Sequence, residues 1–364
     1  MKAAVLNQQP GALEIEEILV DDPAPGEVRL RTVGAGLCHS DLHFMEGLFR
    51  LKVPAVLGHE SAGVVEAVGE GVTYVQPGDH VVCCLSIFCG QCRQCLRGAP
   101  NRCQNPAAVG RPRGAPPRLS RHDGTPMGQF ARLGGFAEEM LVHEHGVVKI
   151  DDDIPLETAA LVGCGVLTGT GAVFRTARVE PGSRVLVIGA GGIGLSAVQA
   201  ARIAGAGMVI VVDVSDDKLE TAQQLGATVT VNATTTDDVV GAVRDLAGGG
   251  VDFSFEAIGK KATAEQAFAA LDVGGTATIV GMVPDDQRLE IKAMDLLGER
   301  KLQGSMMGSN QFRTDIPRLL AMYRDGRLDL DTMVTRTLSL EEVNEGYDLM
   351  QRGAVSRSVI AFPA

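Results

Sequence analysis

No surplus of positive charge marks this chain: 33 Lys and Arg stand against 45 Asp and Glu, a formal net charge of −12. That balance excludes the broad phosphate-binding surface that nucleic acid requires, so no nucleic-acid partner is expected. Long apolar runs are missing too. Hydrophobic residues make up 45% of the 364 residues, yet no uninterrupted run approaches the roughly 20 needed to cross a bilayer, and no membrane partner is expected. Nothing near the start reads as a signal peptide, and no short-period repeat is evident. A soluble, cytoplasmic protein of about two domains is the expectation at this length. What is plentiful is glycine, 45 residues, which points to tight turns and close backbone approaches.

Of eight cysteines, four fall in CGQCRQCLRGAPNRC: Cys89, Cys92, Cys95 and Cys103. Thiolates at these intervals can converge on one tetrahedral ion, and four sulfur ligands leave no position for a substrate. Residues 86–106 are therefore expected to form a structural zinc lobe. A disulfide framework suits small secreted domains rather than a chain of this size, and iron–sulfur runs use other spacings. A reactive CxxC thiol pair is the remaining alternative.

The first part of the chain reads as β-rich, with MKAAVL, LEIEEILV and EVRLRTVGAGLC separated by Pro and Gly. From about residue 181 the style changes. RVLVIG, MVIVVD, VDFSFEAIG and TATIVG are short buried strands alternating with helical segments such as DDKLETAQQLGA, the pattern of a doubly wound parallel sheet. The tail from Phe312 lacks this alternation and could return to the first domain.

Between the strand RVLVI and a helix beginning near Gly192, the residues Gly189, Gly191 and Gly194 form GxGxxG. A tight turn, backbone approach to a pyrophosphate and close helix packing each demand a residue without a side chain, and the helix N-terminus offers free N–H groups to phosphate. Asp213 ends the next strand, where a carboxylate can accept both adenosine ribose hydroxyls and would repel a 2′-phosphate. NAD is thus favoured over NADP, the alternative for Asp213 being a strand-end turn. Lys218 is either near the same ribose or a solvated helix lysine.

GLCHSDLHF gathers Cys38, His39, Ser40, Asp41 and His43; LGHESAG adds His59 and Glu60; VGCGVLTGTG carries Cys164. Two thiolates and one imidazole, from Cys38, His59 and Cys164, would leave a fourth tetrahedral position open. Taken in order, GLCHSDLH, GHE, the four-cysteine lobe, GCGVLTG, GAGGIG with Asp213, and the arginine of AVSRSVI resemble the zinc-dependent medium-chain alcohol dehydrogenases of the medium-chain dehydrogenase/reductase superfamily. The resemblance spans nearly the whole chain.

It implies an α/β protein with a GroES-like β-barrel catalytic domain, residues 1–165 and 307–364, plus a Rossmann doubly wound parallel-sheet domain, residues 166–306, and an active site in the cleft. Two zinc ions are implied per chain: a structural ion on the lobe, and a catalytic ion on Cys38, His59 and Cys164, with Asp41 or Glu60 orienting those ligands and Glu60 a further candidate ligand. Zinc would lower the pKa of an alcohol that gives hydride to NAD. Ser40 matches the hydroxyl of the family's proton relay and His43 its terminal base. His39 stands where many relatives have an arginine on the pyrophosphate, Gly192 opens the cofactor helix, and Arg357 matches the family's C-terminal pyrophosphate arginine.

Leu48, Phe49, Leu85 and Met307 match substrate-pocket positions, and their apolar bulk suits a medium-chain aliphatic or benzylic primary alcohol or its aldehyde. The runner-up within the family, a dehydrogenase of S-hydroxymethyl-thiol adducts of formaldehyde, is weakened because Arg50 and Lys52, and no acid, lie between Gly47 and His59. A non-catalytic NAD-binding zinc protein is the alternative from another class. Residues 106–129, rich in Pro, Gly and Arg, resemble a longer loop of dimeric relatives, expected over the cleft or a subunit interface unless it is a mobile surface loop. A homodimer is expected, with a tetramer as the alternative.

Overall fold

The computed structural model describes residues 1–353 and 357–363. The chain divides into two compact units: Met1–Cys164 with Gln311–Ala321 and Val334–Ala364, and Gly165–Asn310 with Met322–Met333.

The first unit is built on two mainly antiparallel sheets. Glu27–Gly36 is the hub of the larger one, pairing with Glu60–Val68, Glu139–His143 and Ser358–Ala361. Its alternation is that of a strand with one face in a core: Val28 and Leu30 are fully buried, whereas Arg29 and Arg31 point the other way. Each such aliphatic burial is worth about 1.5–3 kcal/mol. Register shifts at Arg29/Leu30 and Thr32/Gly34 bend the pairing so that Gly36 ends opposite Glu60. A Cβ at Gly36 would stand 2.5 Å from Glu60 Oε2, so glycine here makes room for that carboxylate. The chain then turns through extended Cys38 into the short helix His39–Met45, which buries Asp41, Leu42 and Met45 on one face and gives way to Gly47 at φ 76°.

Residues 106–129 are fastened to this unit. Arg111 pairs with Asp21 and Glu27, Arg118 with Glu27, and Arg121 with Glu16. Three of the segment's four arginines thus pair with acids of this same unit.

The second unit carries a six-stranded sheet whose paired strands are all parallel: β1 Arg184–Ile188, β2 Met208–Asp213, β3 Val229–Asn232, β4 Val251–Glu256, β5 Leu271–Ile279 and β6 Lys301–Gly304, in the order 3-2-1-4-5-6. Helices α1 Gly192–Ile203, α2 Asp216–Gln224, α3 Val239–Leu246 and α4 Lys261–Ala269 connect the first five strands. The order reverses between β1 and β4, which places a ligand crevice at the carboxyl ends of these strands. Residues 307–310 and 322–333, expected with the barrel, group with this unit. Gln199 of α1 donates to the Asp329 carbonyl, its amide also reaches the sulfur of Met333, and Gly308 packs directly on Gly171. Among the described residues no single helix is long and apolar enough to cross a membrane.

Candidate active site

Cys38, His59, Glu60 and Cys164 converge at the end of the Glu27–Gly36 and Glu60–Val68 ladder, all buried, with one candidate ligand atom from each lying within 4.8 Å of the others. Asp41 explains the imidazole's orientation. Its Oδ2 lies 3.0 Å from His59 Nδ1 and its Oδ1 accepts the Gly58 N–H at 2.9 Å, while Phe130 meets the ring edge-on at 5.4 Å. Neither ring nitrogen makes a regular hydrogen bond: Nδ1 faces the Asp41 carboxylate as an ion pair, and Nε2 is buried on the other side of the ring. A buried ring nitrogen with its opposite nitrogen held by a carboxylate is the usual state of a metal-binding histidine. With two sulfurs beside it, the donor set fits zinc.

The charges agree with that fit. Hydrogen bonding from Cys164 holds the Cys38 thiol well below its usual value, with His59 adding to the effect, and the same contact pushes Cys164 up. Burial disfavours a His59 cation, but Asp41 and Cys38 outweigh it and push the group up to about 10. Without a metal this pocket retains protons that an ion would displace.

The guanidinium of Arg357 is buried, and its Nη2 donates to Glu60 Oε2. A fully buried carboxylate without a cation is costly, and Arg357 supplies one. Ser40 Oγ lies 3.7 Å from Cys38 Sγ. His43, on the same helix, has its Nδ1 3.9 Å from Glu46 and its ring 6.2 Å from that of Phe49. His39 is exposed at the first helical position. Leu48 is 57% exposed and Phe49 half-buried just beyond the helix, while Leu85 packs against the barrel core. Met307 belongs to the second unit, at φ 50°, where its sulfur accepts from Thr168 Oγ1.

In the lobe, Cys92 Sγ lies 3.5 Å from Cys95 Sγ and 4.0 Å from Cys103 Sγ, and Cys89 Sγ lies 4.0 Å from Cys95 Sγ. A tetrahedral ion with Zn–S near 2.3 Å needs sulfurs about 3.8 Å apart. Backbone N–H groups of Gln91 and Cys92 point at Cys89 Sγ, and that of Gln104 at Cys92 Sγ. N–H donors from residues 95 and 104 lower the Cys92 thiol to about 6. Backbone donors thus favour thiolate at Cys89 and Cys92, while burial and the neighbouring Cys92 and Cys103 push Cys95 up to about 12.

At the dinucleotide site, the three glycines differ. Gly189 has φ 99°, and a Cβ at Gly194 would stand 1.7 Å from the Gly189 carbonyl oxygen, so the fold itself forbids a side chain there. At Gly191, by contrast, a Cβ would meet no protein atom within 4 Å. An open cradle at the N-terminus of α1, which begins at Gly192, is what a bound pyrophosphate would use. Asp213 Oδ2 accepts the Ala190 N–H at 2.7 Å, and Oδ1 accepts from Val214 and Ser215. The carboxylate therefore sits against the glycine turn with both Oδ1 lone pairs engaged and acceptor capacity left on Oδ2. Lys218 is half-buried in the first turn of α2, its N–H capped by Ser215.

Two site residues escape a motif reading. Tyr347, on the apolar face Val343, Tyr347, Met350, is buried at the Asp41 and Cys38 charges, which with burial hold its phenol far above the usual value. Its one sequence signal is a tyrosine in an apolar stripe, where the hydroxyl needs a neighbour. Glu256, at the end of β4, accepts at Oε1 from the Ile258 and Gly259 N–H groups and from Thr263, shaping the turn whose Ile258 lies beside Gly189.

Comparison with known proteins agrees on one family. Residues 24–152 match the model of the alcohol dehydrogenase GroES-like domain, and residues 192–322 that of the zinc-binding dehydrogenases. The chain is 36% identical to an alcohol dehydrogenase zinc-binding domain protein from Burkholderia ambifaria, covering 100% of this chain and 99% of that one at TM-score 0.95. It is 33% identical to a benzyl alcohol dehydrogenase from Acinetobacter calcoaceticus, with 100% and 99% coverage and TM-score 0.93. A NAD-dependent alcohol dehydrogenase is 30% identical over the full length of both chains, at TM-score 0.82.

Proposed function

The chain belongs to the zinc-dependent alcohol dehydrogenase family, and from that premise we propose that it interconverts a primary alcohol, benzylic or medium-chain aliphatic, with its aldehyde, using NAD. The observation that carries this reading is His59: its Nε2 is buried without a regular hydrogen bond beside the sulfurs of Cys38 and Cys164, while the Asp41 carboxylate faces the opposite nitrogen.

Zinc on Cys38, His59 and Cys164 would supply a Lewis acid for the substrate oxygen, and NAD a hydride acceptor. The protein's own groups do the rest. Asp41 keeps His59 in the tautomer that presents Nε2. Ser40, beside Cys38, takes the proton of the alcohol, and half-buried His43 passes it to solvent. Glu60 and Arg357 neutralise one another next to the ligands, so neither leaves a lone charge in the pocket. Gly191 and the N-terminus of α1 receive the pyrophosphate, and the Asp213 carboxylate selects a ribose with a free 2′-hydroxyl. Leu48 and Phe49 offer the substrate an apolar face, and the related Acinetobacter enzyme is named for benzyl alcohol.

The test measures zinc per chain and NADH formation on benzylic, medium-chain aliphatic and S-hydroxymethyl-thiol substrates, with NAD and NADP in parallel. Two zincs and thiol-independent turnover of benzylic or aliphatic alcohols with NAD are expected. Strict dependence on added thiol overturns the substrate assignment, and preference for NADP overturns the cofactor assignment.

A further inference from the structure

One segment grips the four-cysteine lobe at two points. Gln311 donates its side-chain amide to the Gly98 carbonyl at 2.6 Å, within the stretch between Cys95 and Cys103. Two residues on, the Arg313 guanidinium lies 3.9 Å over the ring of Tyr74 and 5.5 Å from that of Phe88, the residue just before Cys89. Arg313 also donates to the Glu144 carbonyl at 2.5 Å and the Val147 carbonyl at 3.2 Å. Phe88 is stacked on His145 at 4.7 Å with the planes 1° apart, and the edge contact with Phe312 is at 5.9 Å.

Desolvation strengthens such a cation–π contact, and burial does lower Arg313 from its usual pKa. The lobe has little regular secondary structure of its own. Its helix spans only Arg93–Leu96 and buries no residue, and Leu96 is 76% exposed. The gripping segment is itself an element start: Gln311 N–H donates to Asp315 at 2.7 Å, closing the first turn of the helix Phe312–Arg324. Lobe and helix start therefore support one another through a few contacts, and an ion that fixes the four sulfurs fixes the lobe side of each.

We propose that Gln311 and Arg313 are positioning residues of the four-cysteine lobe, and that the lobe's metal in return fastens the first turns of Phe312–Arg324. The proposal rests on the zinc reading of the lobe. Its test is timed alkylation of the zinc-loaded protein, read cysteine by cysteine by mass spectrometry. Arg313→Met and Gln311→Ala are each expected to speed modification of Cys89, Cys92, Cys95 and Cys103 about tenfold or more, leaving Cys38 and Cys164 unchanged. Protected lobe cysteines with the same rates in both variants overturn the proposal alone. Lobe cysteines that react as free thiols in the unaltered, zinc-supplied protein overturn the zinc reading and the proposal with it. A second measurement needs no variant. Hydrogen exchange after metal is stripped from the lobe should show loss of protection in residues 312–324 but not in residues 27–36, and unchanged protection in 312–324 overturns the proposal.

Discussion

Asp41 Oδ2 stands 3.0 Å from His59 Nδ1, with the two side chains 0% and 1% exposed. This pair turns a sequence neighbourhood into a site, because the carboxylate fixes which imidazole nitrogen faces Cys38 and Cys164. Asp41 comes from a short helix and His59 from the head of a strand, so their relation depends on how the strand Glu27–Gly36 pairs with Glu60–Val68.

Replacing Asp41 by Asn should keep the bond to Gly58 N–H while removing the negative charge behind His59. Zinc affinity at the cysteine–histidine cluster is expected to fall about 10- to 100-fold, with little change in melting temperature. Competition with a zinc chelator measures the affinity, and an affinity equal to that of the unaltered protein would count against the pair's role.

The glycine turn offers a contrast of two alanines. Gly194→Ala drives a Cβ into the Gly189 carbonyl oxygen, and a loss of about 3 kcal/mol or more in stability is expected, visible as a fall in Tm. Gly191→Ala meets nothing in the protein. It should leave Tm nearly unchanged and weaken NAD binding about tenfold or more, measured by titration of NADH fluorescence.

Asp213→Asn preserves an acceptor for the Ala190 N–H and removes the charge that repels a 2′-phosphate. The KM for NAD should rise about tenfold with kcat little altered, and the ratio of NADP to NAD efficiency should rise. An unchanged ratio would place cofactor selection elsewhere.

Glu27 sets an acid limit on the arginine-rich segment. Burial works against its carboxylate, but Arg111 and Arg118 outweigh that and lower it from 4.5. A group depressed in the folded state contributes stability above its unfolded value and loses it as pH falls through the folded one. Proteolytic cleavage within residues 106–129 should therefore be slow above about pH 4.5 and accelerate below it. Glu27→Gln should bring that susceptibility to neutral pH, at a cost of about 3 kcal/mol, because largely buried Arg118 loses its carboxylate and Arg111 keeps only that of Asp21. Equal cleavage at neutral pH in both proteins would show that the segment is held by other contacts.

Much was legible in the sequence because it is local. The lobe's cysteines lie within one short stretch, so chain geometry alone brings them to one point, and GAGGIG between a strand and a helix specifies its own turn through the Gly189 φ and the Gly194 contact. The parallel order followed from strands alternating with helices. Tertiary structure alone decided the rest. Cys164 reaches Cys38 only through the fold, Arg357 pairs with Glu60, and three arginines of residues 106–129 pair with Glu16, Asp21 and Glu27. Spacing fixes partners a few residues apart because the backbone joining them is short. The partner of a buried charge more than 80 residues away is set by which surfaces close over it, and that is known only once the sheets have paired.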